Sequence, residues 1–175
     1  NNYLGGDIKS EVLVLAKRNA ERSYEAAGLP LENLLLTAQN IELIDEILSP
    51  QDVVERIYIN FCNPWPRPKH NKRRLTHPRQ LKKYQTFLRP GGEIHFKTDN
   101  AGLFAFSVEE FPAGGFQPTQ VTDDLHRDGI QGVMTDYEAK FHAMGTPIHR
   151  CVAVKGELPP QPAESPAPAE GDKAE

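Results

Sequence analysis

Arg56-Ile-Tyr-Ile-Asn-Phe-Cys62 runs directly into Asn63-Pro-Trp-Pro-Arg-Pro-Lys-His-Asn-Lys-Arg-Arg74, and this junction decides how the chain is read. The first part is an apolar strand. The three prolines that follow remove backbone donors and fix φ, so the ladder stops and the loop's five cations are displayed beyond the strand's carboxyl end. Ligands of open α/β sheets bind at that edge. A proline-stiffened loop with this charge reads as an RNA-facing active-site loop.

Outward from this junction, apolar runs and breakers alternate. A strand is expected at about 2–6, then an amphipathic helix at about 9–27 with Val12, Leu13, Leu15, Ala16 and Ala20 on its apolar side, closed by Gly28 and Pro30. A strand near 33–37, a short helix near 41–48 and the strand 56–62 follow. After the basic loop, a helix is expected at 77–88, with Pro78 in its first turn and Pro90-Gly91-Gly92 as its stop. A strand at 93–97, a helix at 101–111, a strand at 117–122, a helix at 135–144 and a strand at 147–154 complete the pattern. Alternation at these lengths predicts an α/β fold, a doubly wound and mostly parallel sheet of Rossmann-like type.

The 175 residues divide into one domain over 1–155 and a tail over 156–175 whose Pro, Ala and Glu content is too poor in apolar residues to order a backbone. The net charge of −4 conceals an asymmetry, because residues 67–83 hold eight Lys or Arg and no acid. Local charge selects the partner, and here it points to polyanions. Cys62 and Cys151 lack metal-ligand spacing and lie in apolar segments, as small buried hydrophobes do in a reducing compartment, so neither zinc nor a disulfide is expected. No apolar run has the length of a membrane span, and no signal peptide is recognisable, so a cytoplasmic chain without a membrane partner is expected.

Three motifs in order and at matching spacing, Asn60 to Thr76, Pro90-Gly-Gly-Glu-Ile-His-Phe-Lys-Thr-Asp-Asn100 and Thr135-Asp-Tyr-Glu-Ala-Lys-Phe141, closely resemble the bacterial tRNA (guanine-N7)-methyltransferases. The resemblance extends over roughly residues 1–154. It implies a class I methyltransferase fold, S-adenosylmethionine as methyl donor, no metal, and tRNA as the partner methylated at a variable-loop guanine, with no obligatory protein partner evident. Family members carry a strand and a Glu-x-Gly-x-Gly-type loop before the position of Tyr3, and the chain opens on Asn1 without them. It is therefore read as an N-terminally truncated member, expected to bind S-adenosylmethionine weakly and to be less stable than its relatives. A catalytically weak RNA-binding remnant is the alternative.

The resemblance makes Asp7 the ribose contact of the cofactor, against a plain role in capping the next helix. Asn40 stands where most members carry an Asp that meets the adenine amine; it equally suits an N-cap. Asn63 stands where Asp-Pro-Trp-Pro is the commoner sequence, so it is read as cofactor-binding and catalytic lining whose lost carboxylate lowers electrostatic stabilisation. Arg67 is implied as a substrate contact, with His70 and Arg73 serving RNA binding or site shape. Together with Lys69, Lys72, Arg74, Arg79, Lys82 and Lys83 these cations form an expected phosphate stripe, and Trp65 is expected to pack beneath the loop. Asp99, Thr135, Asp136, Tyr137 and Glu138 are assigned to the guanine or its surroundings. Either Asp99 or Glu138 is suited to accept from guanine N1–H and the exocyclic amine. Thr135 and Glu138 also have the spacing of a capping box.

Overall fold

Residues 1–157 are described, from a computed structural model; from residue 158 the expected tail lies outside them. The elements follow the alternation read from the sequence: β1 (Tyr3–Gly6), α1 (Ser10–Ala26), β2 (Leu34–Thr37), a 3-10 turn at Ile41–Glu46, β3 (Val54–Asn60), a second 3-10 turn at Pro68–Arg73, α2 (Pro78–Phe87), β4 (Leu88–Thr98), α3 (Ala101–Ala113), β5 (Phe116–Thr122), α4 (Asp136–Ala143) and β6 (His149–Lys155). Gly28, at φ 66°, ends the α1 segment as expected, and the Leu29 N–H reaches back to the Tyr24 carbonyl at 2.9 Å.

The strands form two sheets. β1 and β2 pair in parallel, while the second sheet has the order β3-β4-β6-β5. Within it β3 and β4 are parallel and β6 runs antiparallel to both β4 and β5, so three of its four strands point one way. This is a Rossmann-like α/β arrangement with a reversed strand next to its edge.

The main core lies between the larger sheet and α2 and α3. Ile59 of β3, Ile94 and Phe96 of β4, and Cys151 and Ala153 of β6 meet Leu81, Tyr84 and Phe87 of α2 and Leu103, Phe104 and Phe111 of α3. Leu81, Ile94, Phe96, Phe111, Cys151 and Ala153 are completely buried. Burying side chains of this size stabilises by about 1.5–3 kcal/mol each, so this sheet and its two helices hold most of the folding energy. Burial pushes the Cys62 thiol up to about 11 and the Cys151 thiol up to about 12, so both stay protonated and inert near neutrality.

Three details differ from the sequence reading. β3 ends at Asn60, not at residue 62, because Phe61 turns to φ 52° and leaves the ladder before the prolines arrive. Pro90-Gly91-Gly92 does not separate a helix from a strand: α2 passes straight into β4 at Leu88, and the segment Arg89–Gly92 is a bulge, with Val54 paired to Leu88 and Arg56 already paired to Glu93. Gly92 is required there, since a Cβ would stand 2.7 Å from the Leu88 side chain and 2.8 Å from the Arg89 carbonyl. α1 buries no residue completely, and Val12 and Leu15 of its expected apolar side are 44% and 55% exposed. The two-stranded sheet beneath it offers four residues per strand, too little surface to cover that stripe.

Candidate active site

Parallel pairing of β3 with β4 places Asn60 opposite Lys97, so the chains leaving both strands emerge at one sheet edge. The Phe61 N–H still bonds the Lys97 carbonyl at 2.9 Å. Asn63 and Asp99 therefore lie on neighbouring loops, as expected. Tyr137 closes the arrangement from far along the chain. Its ring packs on Phe61 at 4.7 Å and on Phe141 at 4.4 Å, and burial, followed by the adjacent Asp99 charge, raises its hydroxyl pKa. Asp99 is half-buried, and Asn63 and Asp136 are exposed.

The basic loop is braced by its own side chains. The Asn63 Oδ1 accepts from the Trp65 N–H at 3.1 Å, which makes the turn at Pro64 and leaves the amide nitrogen without a partner among the described residues. Trp65 holds φ 43°, and with Phe61 it is one of two strained non-glycine residues at this edge, each costing on the order of 1–3 kcal/mol. Its ring packs against His70 at 5.6 Å and beneath the Arg73 guanidinium at 4.0 Å, the structural role expected for it. Arg74 donates from Nε to the Pro64 carbonyl at 3.0 Å and from Nη2 to the Trp65 carbonyl at 3.2 Å, with its guanidinium 4.3 Å from the Phe106 ring centre.

The expected phosphate stripe is accordingly shorter than the sequence suggested. Arg74 is a clamp inside the loop. Arg73 pairs with Glu42 at 3.2 Å, and Lys83 with Asp45 at 2.6 Å, both anions on the turn Ile41–Glu46. Arg67, Lys69, Lys72, Arg79 and Lys82 are exposed and have no ion-pair partner among the described residues. His77, also on this stretch, caps α2 by accepting from the Arg79 N–H at 3.1 Å. Burial lowers its pKa.

Asp7 and Asn40 lie on the smaller sheet. β1 and β2 run in parallel with Gly6 opposite Thr37, and the Asp7 N–H bonds the Thr37 carbonyl at 3.2 Å, so both residues follow the same strand ends. The Asp7 Oδ1 accepts from the Lys9 N–H at 2.8 Å, outside α1, so its use is a turn before the helix and not a cap. Asn40 does cap: its Oδ1 accepts from the Glu42 N–H at 3.0 Å. One carboxylate oxygen of Asp7 and the amide nitrogen of Asn40 have no partner among the described residues, so both loops retain polar atoms for a ligand.

Glu138 does not stand open to a base as the sequence reading expected. It is completely buried, and its carboxylate is already satisfied. Oε1 accepts from Lys97 Nζ at 3.0 Å and from His126 Nε2 at 2.8 Å; Oε2 accepts from Lys97 at 3.1 Å and from the Thr135 N–H at 3.3 Å. The Thr135 hydroxyl accepts from the Glu138 N–H at 3.1 Å, completing the expected capping box. Burial raises the Glu138 pKa, but the Lys97 and His126 hydrogen bonds outweigh it and the net shift is downward. A base cannot reach this carboxylate, whereas Asp99 is accessible. The sequence reading missed His126 altogether.

Among the described residues no helix is long and apolar enough to cross a membrane, and no group of three His, Cys, Asp or Glu is arranged to hold a metal.

The family model described as "Putative methyltransferase" matches residues 1–151. The tRNA (guanine-N(7)-)-methyltransferases of Clostridium perfringens (strain SM101 / Type A) and Clostridium beijerinckii are each 54% identical over 155 residues, 88% of this chain and 71% of the relative. Among solved structures, the N-methyltransferase NodS of Bradyrhizobium japonicum superimposes with a TM-score of 0.53 at 11% identity, covering 89% of this chain and 74% of that one. The rRNA methylase of Streptococcus thermophilus gives 0.51 at 14% identity, with 89% of this chain and 74% of that one covered. A Streptococcus mutans protein solved in complex with SAH gives 0.54 at 13% identity, with 88% of this chain and 76% of that one covered. These structural likenesses carry the class I methyltransferase fold, and the sequence relatives carry the rest: the chain belongs to the tRNA (guanine-N7)-methyltransferase family.

Proposed function

We propose that this chain is an S-adenosylmethionine-dependent methyltransferase acting on N7 of a variable-loop guanine of tRNA, in the cytoplasm, at the sheet edge where β3 and β4 end. The observation that carries the reading is the meeting of the braced basic loop, Asp99 and the Phe61–Tyr137 aromatic pair at that one edge.

Asp7 and Asn40 fit two groups of the cofactor. A carboxylate with a spare oxygen suits a ribose diol, and an amide with spare capacity suits the adenine edge. When bound, S-adenosylmethionine supplies a methyl group on a cationic sulfur. Guanine N7 is an aromatic lone pair with no proton to remove, so the protein's task is placement and exclusion of water. Asp99 is suited to accept from guanine N1–H and the exocyclic amine. Tyr137 and Phe61 present an aromatic wall on which a base taken out of its stack can rest. Asn63 lines the path between them, with its amide nitrogen available. Arg67, Lys69 and Lys72 meet phosphates, while His70 and Arg73 act through Trp65 by fixing the loop. Thr135, Asp136 and Glu138 belong to the first turn of α4, with Glu138 acting as its anchor.

The test is transfer of labelled methyl from S-adenosylmethionine to three acceptors: unmodified tRNA, the same tRNA with its variable-loop guanine replaced by adenine, and free guanosine. Label in the first alone is expected. Equal label in tRNA and guanosine would indicate a small-molecule methyltransferase, and tight RNA binding without label would indicate an RNA-binding remnant.

A further inference from the structure

Lys97, His126 and Glu138 come from three different elements and meet with almost no access to solvent. The Lys97 side chain is 17% exposed and those of His126 and Glu138 are 0% exposed. Lys97 lies on β4 two residues before Asp99, Glu138 lies in the first turn of α4 next to Tyr137, and His126 lies on the loop between β5 and α4. The loop is tied down by the Leu125 N–H to the Ile148 carbonyl at 2.7 Å, and the His126 N–H is 3.3 Å from an Asp124 carboxylate oxygen. The ring of His142 packs edge-on at 5.0 Å.

The two ring nitrogens of His126 have distinct partners. Nδ1 accepts from the Gln131 N–H at 3.1 Å, which places the ring proton on Nε2, the atom that lies 2.8 Å from Glu138 Oε1. That bond matters because Lys97 alone leaves Oε1 with an open acceptor site in a dry environment, and an under-bonded buried carboxylate swings toward whatever donor or water it can reach. Any swing of Glu138 turns the start of α4. Tyr137, the preceding residue, would then lose its place against Phe61 and Asp99.

We propose that His126 is a positioning residue for guanine recognition: by donating from Nε2 to Glu138 it locks the first turn of α4 onto β4, so that Tyr137 and Asp99 stand together at the base site. The inference rests on the function proposed above. His126 touches no substrate and acts only through Glu138.

Two substitutions separate this role from simple anchoring of the loop. His126→Gln places an amide nitrogen near the position of Nε2 and keeps the bond to Glu138, while giving up the bond from Gln131. His126→Asn places an amide oxygen near the position of Nδ1 and does the reverse. The readout is the ratio of dissociation constants, by fluorescence anisotropy at one fixed salt concentration, for a tRNA transcript carrying the variable-loop guanine and the same transcript carrying adenine there. Phosphate contacts contribute equally to both and cancel. His126→Gln is expected to keep the wild-type ratio within about two-fold, and His126→Asn to reduce it by about ten-fold, the effect of one lost hydrogen bond to a charged group. The reverse order, Asn retaining the ratio and Gln losing it, overturns the proposal in favour of a loop anchor; so does an unchanged ratio in both. If His126→Asn melts below the assay temperature, the folded His126→Gln chain decides alone, and loss of the ratio there overturns the proposal. A wild-type chain that binds both transcripts equally overturns this inference alone, because the function proposed above is decided by methyl transfer.

Discussion

Replacing Arg74 by alanine distinguishes a cation that holds the loop from cations that hold RNA. Arg74 makes two hydrogen bonds to the carbonyls of Pro64 and Trp65 and covers the Phe106 ring. A charged donor contributes about 1.5–3 kcal/mol per bond when well shielded. Because this guanidinium is only partly buried, about 1 kcal/mol each is a fairer figure, and the ring contact adds about 0.5–1 kcal/mol. The expected loss is about 2–3 kcal/mol, which for a domain of this size lowers the melting temperature by about 5–10 °C. Lys69→Ala and Lys72→Ala should leave the melting temperature unchanged to within about 0.5 kcal/mol of stability. Each should instead reduce the slope of log affinity for tRNA against log salt by about 0.7–0.9. Thermal melting by circular dichroism and anisotropy titrations from about 50 to 200 mM salt supply both readouts. An Arg74→Ala chain that melts like the wild type while losing one phosphate's worth of salt slope would return Arg74 to the RNA-binding stripe.

Other substitutions probe the site itself. Glu138→Gln leaves Lys97 without its anion and is expected to cost about 3 kcal/mol, a little less than a fully buried pair because Lys97 retains some solvent access. The Glu138 pKa is lowered in the fold, so its stabilisation is present above the ordinary glutamate value of about 4.3 and is lost as pH falls through the lower folded value. In melts of the two chains, the gap in stability should hold from about pH 7 to pH 5 and narrow below about pH 4; a gap that widens with acid contradicts the sign. Asp99→Asn, which trades an acceptor for a donor facing guanine N1–H, should slow single-turnover methyl transfer by about 10–100-fold and weaken binding of the guanine-bearing tRNA by about ten-fold, with little change for the transcript carrying adenine there. Full activity in that variant would remove Asp99 from base recognition. Asn63→Asp introduces the carboxylate that the resemblance implies at this position, and single-turnover methyl transfer should accelerate by about ten-fold if a charge there stabilises the cationic transition state. An unchanged rate would mean that position 63 only makes the turn.

The order of elements was legible because local chemistry and tertiary structure agree. Gly28, Pro78 and the prolines after Asn63 act on their own backbone, and the apolar residues of β4 and β6 are buried as their composition requires. That Asn63 and Asp99 share one sheet edge was also legible, since β3 and β4 pair in parallel and both residues follow their strand ends. What failed to show were partners distant in sequence. Counting cations between 67 and 83 gave a stripe, but folding brings Glu42 and Asp45 onto Arg73 and Lys83 from 31 and 38 residues away. His126 sits in a polar stretch with no periodicity to mark it, and only the approach of Glu138, 12 residues on, and of Lys97 on β4 shows that it is buried. For Glu138 the capping-box spacing was visible and correct, yet the same spacing could not reveal that the carboxylate is enclosed. The early exit of Phe61 from β3 follows from its left-handed backbone, which no propensity of phenylalanine anticipates.

Mapping the methylated nucleotide decides whether this chain acts on N7 of the variable-loop guanine. Unmodified tRNA incubated with this chain and S-adenosylmethionine, then treated with borohydride and aniline, breaks only where guanine has become 7-methylguanine. A single break is expected at the variable-loop guanine, absent when Asp99→Asn replaces the wild type under the same brief incubation. Methyl groups found elsewhere in the tRNA, or no break although the tRNA is bound, would contradict it.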